Sequence, residues 1–109
     1  MSFNLDKITL ENDYFRRIIY TTKYQQLVIM SVGKEIPMEI HPGNDQFIKI
    51  VCGKCHVKIE NEIFELEDGD SVTIPASTNH QVINIIEQPI KLYTIYSPPH
   101  HPPNLIEKK

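Results

Sequence analysis

No apolar run in the 109-residue sequence approaches the length of a membrane span, although 40% of its residues are hydrophobic. That combination reads as a soluble globular chain with no membrane partner. Basic residues are not in excess: 11 Lys and Arg stand against 14 Asp and Glu, for a net charge of −3. They are scattered, which gives no support to binding of nucleic acid or of an anionic membrane. The opening stretch MSFNLDKITLEND places acids ahead of any hydrophobic segment and does not read as a secretory leader. Cysteine is scarce, with only Cys52 and Cys55 present. A reducing, cytoplasmic setting with both thiols free is therefore expected. Nucleophilic triads and glycine-rich phosphate loops are missing, and no segment sustains helical periodicity. The length suits one hydrophobic core and is too short for two.

What fills the chain instead, from Tyr14 to Tyr96, is a series of short Ile- and Val-rich runs broken by Gly, Pro, Asn and Asp. This pattern predicts an all-β sandwich or barrel. Strands are expected at Phe15–Tyr20, Gln25–Val32, Met38–His41, Gln46–Cys52, His56–Glu60, Ile63–Leu66, Ser71–Ile74, His80–Ile86 and Lys91–Tyr96. Turn chemistry marks the joins at Pro42-Gly43-Asn44-Asp45, Gly53-Lys54, Asn61-Glu62 and Asp68-Gly69-Asp70. Beyond Tyr96, SPPHHPPNLIEKK contains four prolines that remove ladder donors, so it cannot form a central strand. It is expected to be an extended surface tail.

Alternation assigns the strand faces. From Gln46 onward one face carries Gln46, Ile48, Ile50 and Cys52, and the other Phe47, Lys49 and Val51. From His80 the matching set is His80, Val82 and Asn84. Polar leaders above aliphatic residues place a polar cluster at one end of an apolar barrel, a common layout for a small-molecule site.

Two blocks of spacing sharpen this reading. Gly33, Glu39, His41, Gln46 and Gly53 follow the order glycine, five residues, ligand-x-ligand, four residues, ligand, six residues, glycine. Gly69, Pro75, Ser77, His80 and Asn84 form the second block: glycine, five residues, proline, then a small residue, histidine and asparagine. These blocks resemble the two cupin motifs, and the chain is similar to small single-domain cupins over roughly residues 24–97. The resemblance implies a cupin jelly-roll β-barrel, a double-stranded β-helix. It divides the chain into an N-terminal strand or arm (1–23), a cupin barrel (24–97) and a Pro-rich C-terminal tail (98–109).

The resemblance also implies a metal site formed by Glu39, His41, Gln46 and His80. The family usually supplies His, His and Glu from its first motif and a final His from its second. Here Glu39 occupies the place of the first histidine and Gln46 that of the glutamate. Two imidazoles, one carboxylate and one amide oxygen suit divalent Fe, Mn, Ni or Zn. The alternative is a cupin without a metal, in which Gln46 hydrogen-bonds His41 or His80 and Glu39 is a rim carboxylate. An uncompensated carboxylate at the barrel is costly, which favours a cation or a basic ligand. Glu39, Tyr93 and Tyr96 are candidate catalytic groups, the first as a base and the phenols as donors or acids. His100 and His101, in the tail, could reach a metal or a neighbouring subunit, but a disordered polar tail is the reading preferred for them.

Competing signals are weaker. Cys52-Gly53-Lys54-Cys55-His56 matches the haem c attachment string, but that chemistry needs export and the string straddles a predicted hairpin. Asp45 is accounted for by turn chemistry. The expected function is binding of a divalent transition metal and action on a small oxygenated molecule, such as a keto or carboxylic acid or a sugar. Dioxygenase, isomerase and decarboxylase chemistry all fit. A non-catalytic sensing module and a metal-free sugar isomerase or epimerase are the alternatives. A homodimer is expected, with Phe15–Tyr20 a candidate pairing strand.

Overall fold

Each apolar run forms a strand, and the tail adds one more. The computed structural model describes residues 2–109. The elements in chain order are α1 (Leu5–Glu11), β1 (Arg16–Thr21), β2 (Gln26–Val32), β3 (Glu35–Glu39), β4 (Asp45–Cys52), β5 (Lys54–Ile59), β6 (Glu62–Glu67), β7 (Ser71–Ile74), β8 (His80–Asn84), β9 (Ile90–Ser97) and β10 (Ile106–Glu107). They form a 6-stranded sheet in the order β10-β1-β2-β9-β4-β7 and a 4-stranded sheet in the order β3-β8-β5-β6, antiparallel throughout. The result is an antiparallel jelly-roll sandwich.

The inward faces supply the core. Val28, Met30 and Val32 from β2, Ile48 and Ile50 from β4 and Leu92 from β9 meet Cys55 and Val57 from β5 and Val82 from β8. The period-2 alternation that places these side chains inside also fixes the strand register, because a one-residue slip would turn each of them outward.

Four local features depart from the expectations. β3 begins and ends earlier than Met38–His41 and contains Pro37. A proline without an N–H is accommodated because β3 is an edge strand, and its pairing with β8 shifts register between Ile36 and Glu39. Cys52 is exposed rather than inward, because β4 slips register against β9 between Ile50 and Cys52. The N-terminal arm contains a helix, α1, whose N-cap Asn4 accepts from the Lys7 N–H at 3.1 Å. Only Thr9 of α1 is buried, so seven residues leave too little apolar periodicity to read from sequence. Lys49 of β4 ties α1 down through Asp6 at 3.2 Å.

The fourth departure concerns the tail. Residues 98–104 cross one end of the sandwich instead of running free. Leu105 then packs on the core, and its carbonyl accepts from the Ile18 N–H at 3.1 Å. β10 adds to the outer edge of β1, and the Arg16 guanidinium pairs with the Glu107 carboxylate. No strand is displaced, consistent with prolines that cannot donate to a central ladder.

Candidate metal centre at the barrel mouth

Register brings the polar strand leaders to one end of the sandwich. β3 pairing sets Glu39 opposite His80. β9 lies between β2 and β4, and its Tyr96 faces both Gln26 and Gln46 across the ladder. His41 lies two residues beyond the end of β3, and its carbonyl accepts from the Ser77 N–H at 2.9 Å. Asp45 accepts from the Ala76 N–H at 2.9 Å. The turn after β3 and the loop before β8 are thereby stitched together, with Asp45 at the start of β4 making a cross-loop bond rather than a local turn bond.

Of the sequence-derived ligands, His41, Gln46 and His80 are 4%, 4% and 2% exposed, while the Glu39 side chain is 29% exposed at the rim. Glu39 Oε2 lies 3.5 Å from His41 Nε2. The His41 and His80 rings are 4.9 Å apart between centroids. His80 Nδ1 is 3.0 Å from the Thr78 carbonyl. As the donor to that carbonyl, it leaves the Nε2 lone pair free, the tautomer used by metal-bound histidines. Gln46 donates from Nε2 to Thr94 Oγ1 at 3.0 Å and to the Tyr96 phenol at 3.3 Å. Its Oε1 is buried without a hydrogen-bond partner, as is His41 Nε2.

The tail contributes the nearest further groups. His100 lies edge-on to His41 with ring centroids 4.1 Å apart, and His101 lies edge-on to Tyr96 at 5.2 Å. Ligand atoms of Glu39, His41 and His100 all fall within 4.8 Å of one another. Burial pushes the His41 imidazole down to about 4, with smaller repulsion from His100, His80 and Arg16. Burial likewise lowers His101 to about 4. Both rings are therefore neutral at neutral pH. The Tyr96 phenol is pushed up, chiefly by burial, and stays protonated as a donor.

Other sequence-derived residues lie elsewhere. Tyr93 is on the opposite face of β9, with Phe47 6.5 Å away and the Lys49 ammonium 5.8 Å from its ring centre, so it does not join the mouth. Asn84 closes the far end, donating to the Gly33 carbonyl at 2.9 Å and accepting from the Ile86 N–H at 2.8 Å. Cys55 is buried in the core with its thiol pushed up to about 11 by burial, and Cys52 is exposed. A haem attachment that needs both sulfurs accessible does not fit this arrangement.

The sequence matches the cupin domain family over residues 26–96. This chain belongs to the cupin family. An uncharacterised protein of Acanthamoeba polyphaga mimivirus is 44% identical over 110 residues, covering 95% of this chain and 69% of its own length. YrkC of Bacillus subtilis is 37% identical over 110 residues, covering 91% of this cupin and 58% of YrkC. A crystal structure of a Bacillus halodurans protein superposes with a TM-score of 0.96 at 35% identity, over 99% of this cupin and 88% of that chain.

Within the cupin frame, the two motifs divide their labour. Gly53, which ends the first, has φ +126, and a Cβ there would meet the Ile90 Cα at 3.2 Å. Glycine is required at that hairpin. Gln26 was not singled out by the sequence reading. It shares the signal that marked Gln46 and His80, a polar residue leading an apolar strand.

Proposed function

We propose that this cupin binds one divalent transition ion at the barrel mouth through Glu39, His41, Gln46 and His80, and acts there on a small oxygenated molecule such as a keto acid, carboxylic acid or sugar. The observation that carries the reading is the pair of buried polar atoms without a hydrogen-bond partner, His41 Nε2 and Gln46 Oε1. Buried polar atoms are nearly always satisfied, so two orphaned polar atoms beside a carboxylate, all at ligand positions of the first motif, favour a cation that pairs them. Two imidazoles, a carboxylate and an amide oxygen suit Fe, Mn, Ni or Zn; Cu(I) prefers sulfur and calcium more oxygens.

When bound, such an ion polarises a carbonyl or enolate oxygen as a Lewis acid. The chain's own groups do the rest. His41 is neutral at working pH and presents its lone pair without first losing a proton. Thr78 orients His80. Gln46 is held through its amide nitrogen by Thr94 and Tyr96, which directs its oxygen away from them. The Tyr96 phenol accepts from Gln46 and keeps its own proton available for a substrate oxygen. Glu39, at the rim, is placed to take a proton from a substrate carbon or water when it is not itself a ligand.

Metal analysis of the purified protein tests this directly. The expected result is about one divalent ion per chain, lost in the His41→Ala/His80→Ala double variant. A wild-type protein that carries no ion, and gains no thermal stability from Fe, Mn, Ni or Zn, overturns the proposal. Binding without turnover is a second reading, favoured by a tail fastened across the mouth through Asn44 and Gln26. A keto acid or sugar that raises the melting temperature and is never consumed would select it.

A further inference from the structure

We infer that the C-terminal tail is part of the metal centre: His100 supplies a ligand from outside both motifs, and the segment carrying it closes the mouth as it does so. This inference rests on the metal reading above. It adds to that reading a ligand that the barrel strands do not supply.

Three observations carry it. The first is proximity. His100 offers a ligand atom within 4.8 Å of those of both Glu39 and His41, and its ring lies 4.1 Å from that of His41. Two histidines and one carboxylate make a facial set suited to a divalent ion that keeps open positions.

The second is that the tail is fastened just before the histidine and at it. Upstream, Asn44 in the turn between the first-motif ligands donates through Nδ2 to the Pro98 carbonyl and, at 3.1 Å, to the Pro99 carbonyl. At the histidines themselves, Gln26 Oε1 accepts from the His100 N–H at 3.0 Å and the His101 N–H at 2.9 Å, while Gln26 Nε2 donates to the His101 carbonyl at 2.8 Å. Gln26 is fully buried, and these part-buried bonds hold the backbone of the exposed His100 and of His101 in one place. A loose polar tail has no need of such a clamp.

The third is the geometry of cover. The tail histidines and Tyr96 form a continuous aromatic layer over His41, with His100 and His101 rings 4.6 Å apart and His100 and Tyr96 5.3 Å apart. Metal binding and closure of the mouth therefore use the same side chain. By linkage, an ion that binds His100 must favour the fastened tail, and a fastened tail must favour the ion by the same factor.

Cobalt(II) chloride titration followed by visible absorption tests the inference without any assay of activity. Wild type, His41→Ala, His100→Ala, His100→Gln and the distant surface variant His56→Ala are compared, with thermal melts of each apo protein confirming the fold. We expect wild type and His56→Ala to give the same spectrum and affinity, and His41→Ala to lose binding. Both His100 variants should bind at least about tenfold more weakly with shifted d–d bands. His100 variants that titrate like wild type, with an unchanged spectrum, overturn the tail ligand and leave the barrel ligands standing. A wild type that takes up no cobalt overturns both.

Discussion

Two buried glutamines sit on either side of the same tyrosine, and they differ in one respect. Gln26 on β2 and Gln46 on β4 both pair across the ladder with Tyr96. Gln26 has every polar atom occupied: its oxygen accepts two backbone N–H groups and its nitrogen donates to Thr21 Oγ1 at 3.0 Å and to the His101 carbonyl. Gln46 has its nitrogen occupied and its oxygen bare. The same residue type, in the same register and at the same depth, is thus complete in one case and incomplete in the other. Completeness marks a residue that holds the fold. Incompleteness leaves a buried acceptor open, the feature on which the proposed metal site rests.

The contrast breaks if the two glutamines respond alike to removal of the amide. Gln26→Leu strands two buried N–H groups and a carbonyl of the tail, so a loss of about 2–4 kcal/mol is expected in urea unfolding. A loss below about 1 kcal/mol would mean that the clamp contributes little.

The same contrast extends to the histidines with unpartnered Nε2 atoms, His41 and His101. Both are held at about 4 in the fold against an ordinary value of 6.5 for His41 and for His101. Between those values the unfolded chain binds more protons than the folded one, so stability rises with pH across the window. Chelator-treated protein should therefore be unaffected above about pH 6.5 and lose stability as pH falls toward 4, by on the order of 2 kcal/mol for His41 at pH 4.5. Melting temperatures flat from pH 7 to 4.5 would show that these rings are not shielded as the fold implies.

Gln46→Leu should have the smallest effect of all on the apo protein, within about 1 kcal/mol, because an orphaned oxygen leaves together with two donated bonds. Its signature should emerge only with metal, as a reduced melting-temperature gain on adding the ion. A variant that loses as much apo stability as Gln26→Leu would make Gln46 a fold residue and remove its distinction.

Much of this was legible in the sequence because it was local. Ile48, Ile50 and Val82 declare their face by alternation, and the turn at Pro42–Asp45 declares itself by residue type. Alternation placed the polar leaders Gln46 and His80 at one end, and the resemblance to the cupin motifs added Glu39 and His41 to them. What was not legible depended on long-range side-chain bonds. Nothing near SPPHHPP states that Gln26, 74 positions earlier than His100, will capture it, or that Asn44 will hold Pro99 from 55 positions away. The prolines excluded a central strand and were silent on where the segment would lie. Cys52 was misplaced for a related reason, since a bulge in β4 is a property of its pairing with β9 rather than of the residue itself.

The pairing of β10 with β1 has a consequence for exchange at the mouth. Because Leu105, Ile106 and Glu107 are built into the core and the sheet edge, residues 98–104 are a short loop closed at both ends, not a free terminus. A short loop closed at both ends loses little closure entropy on forming, so it is expected to open as a unit rather than to fray. The amide protons of His100 and His101, both sequestered on Gln26, exchange with deuterium only when that opening occurs, and so serve as its clock.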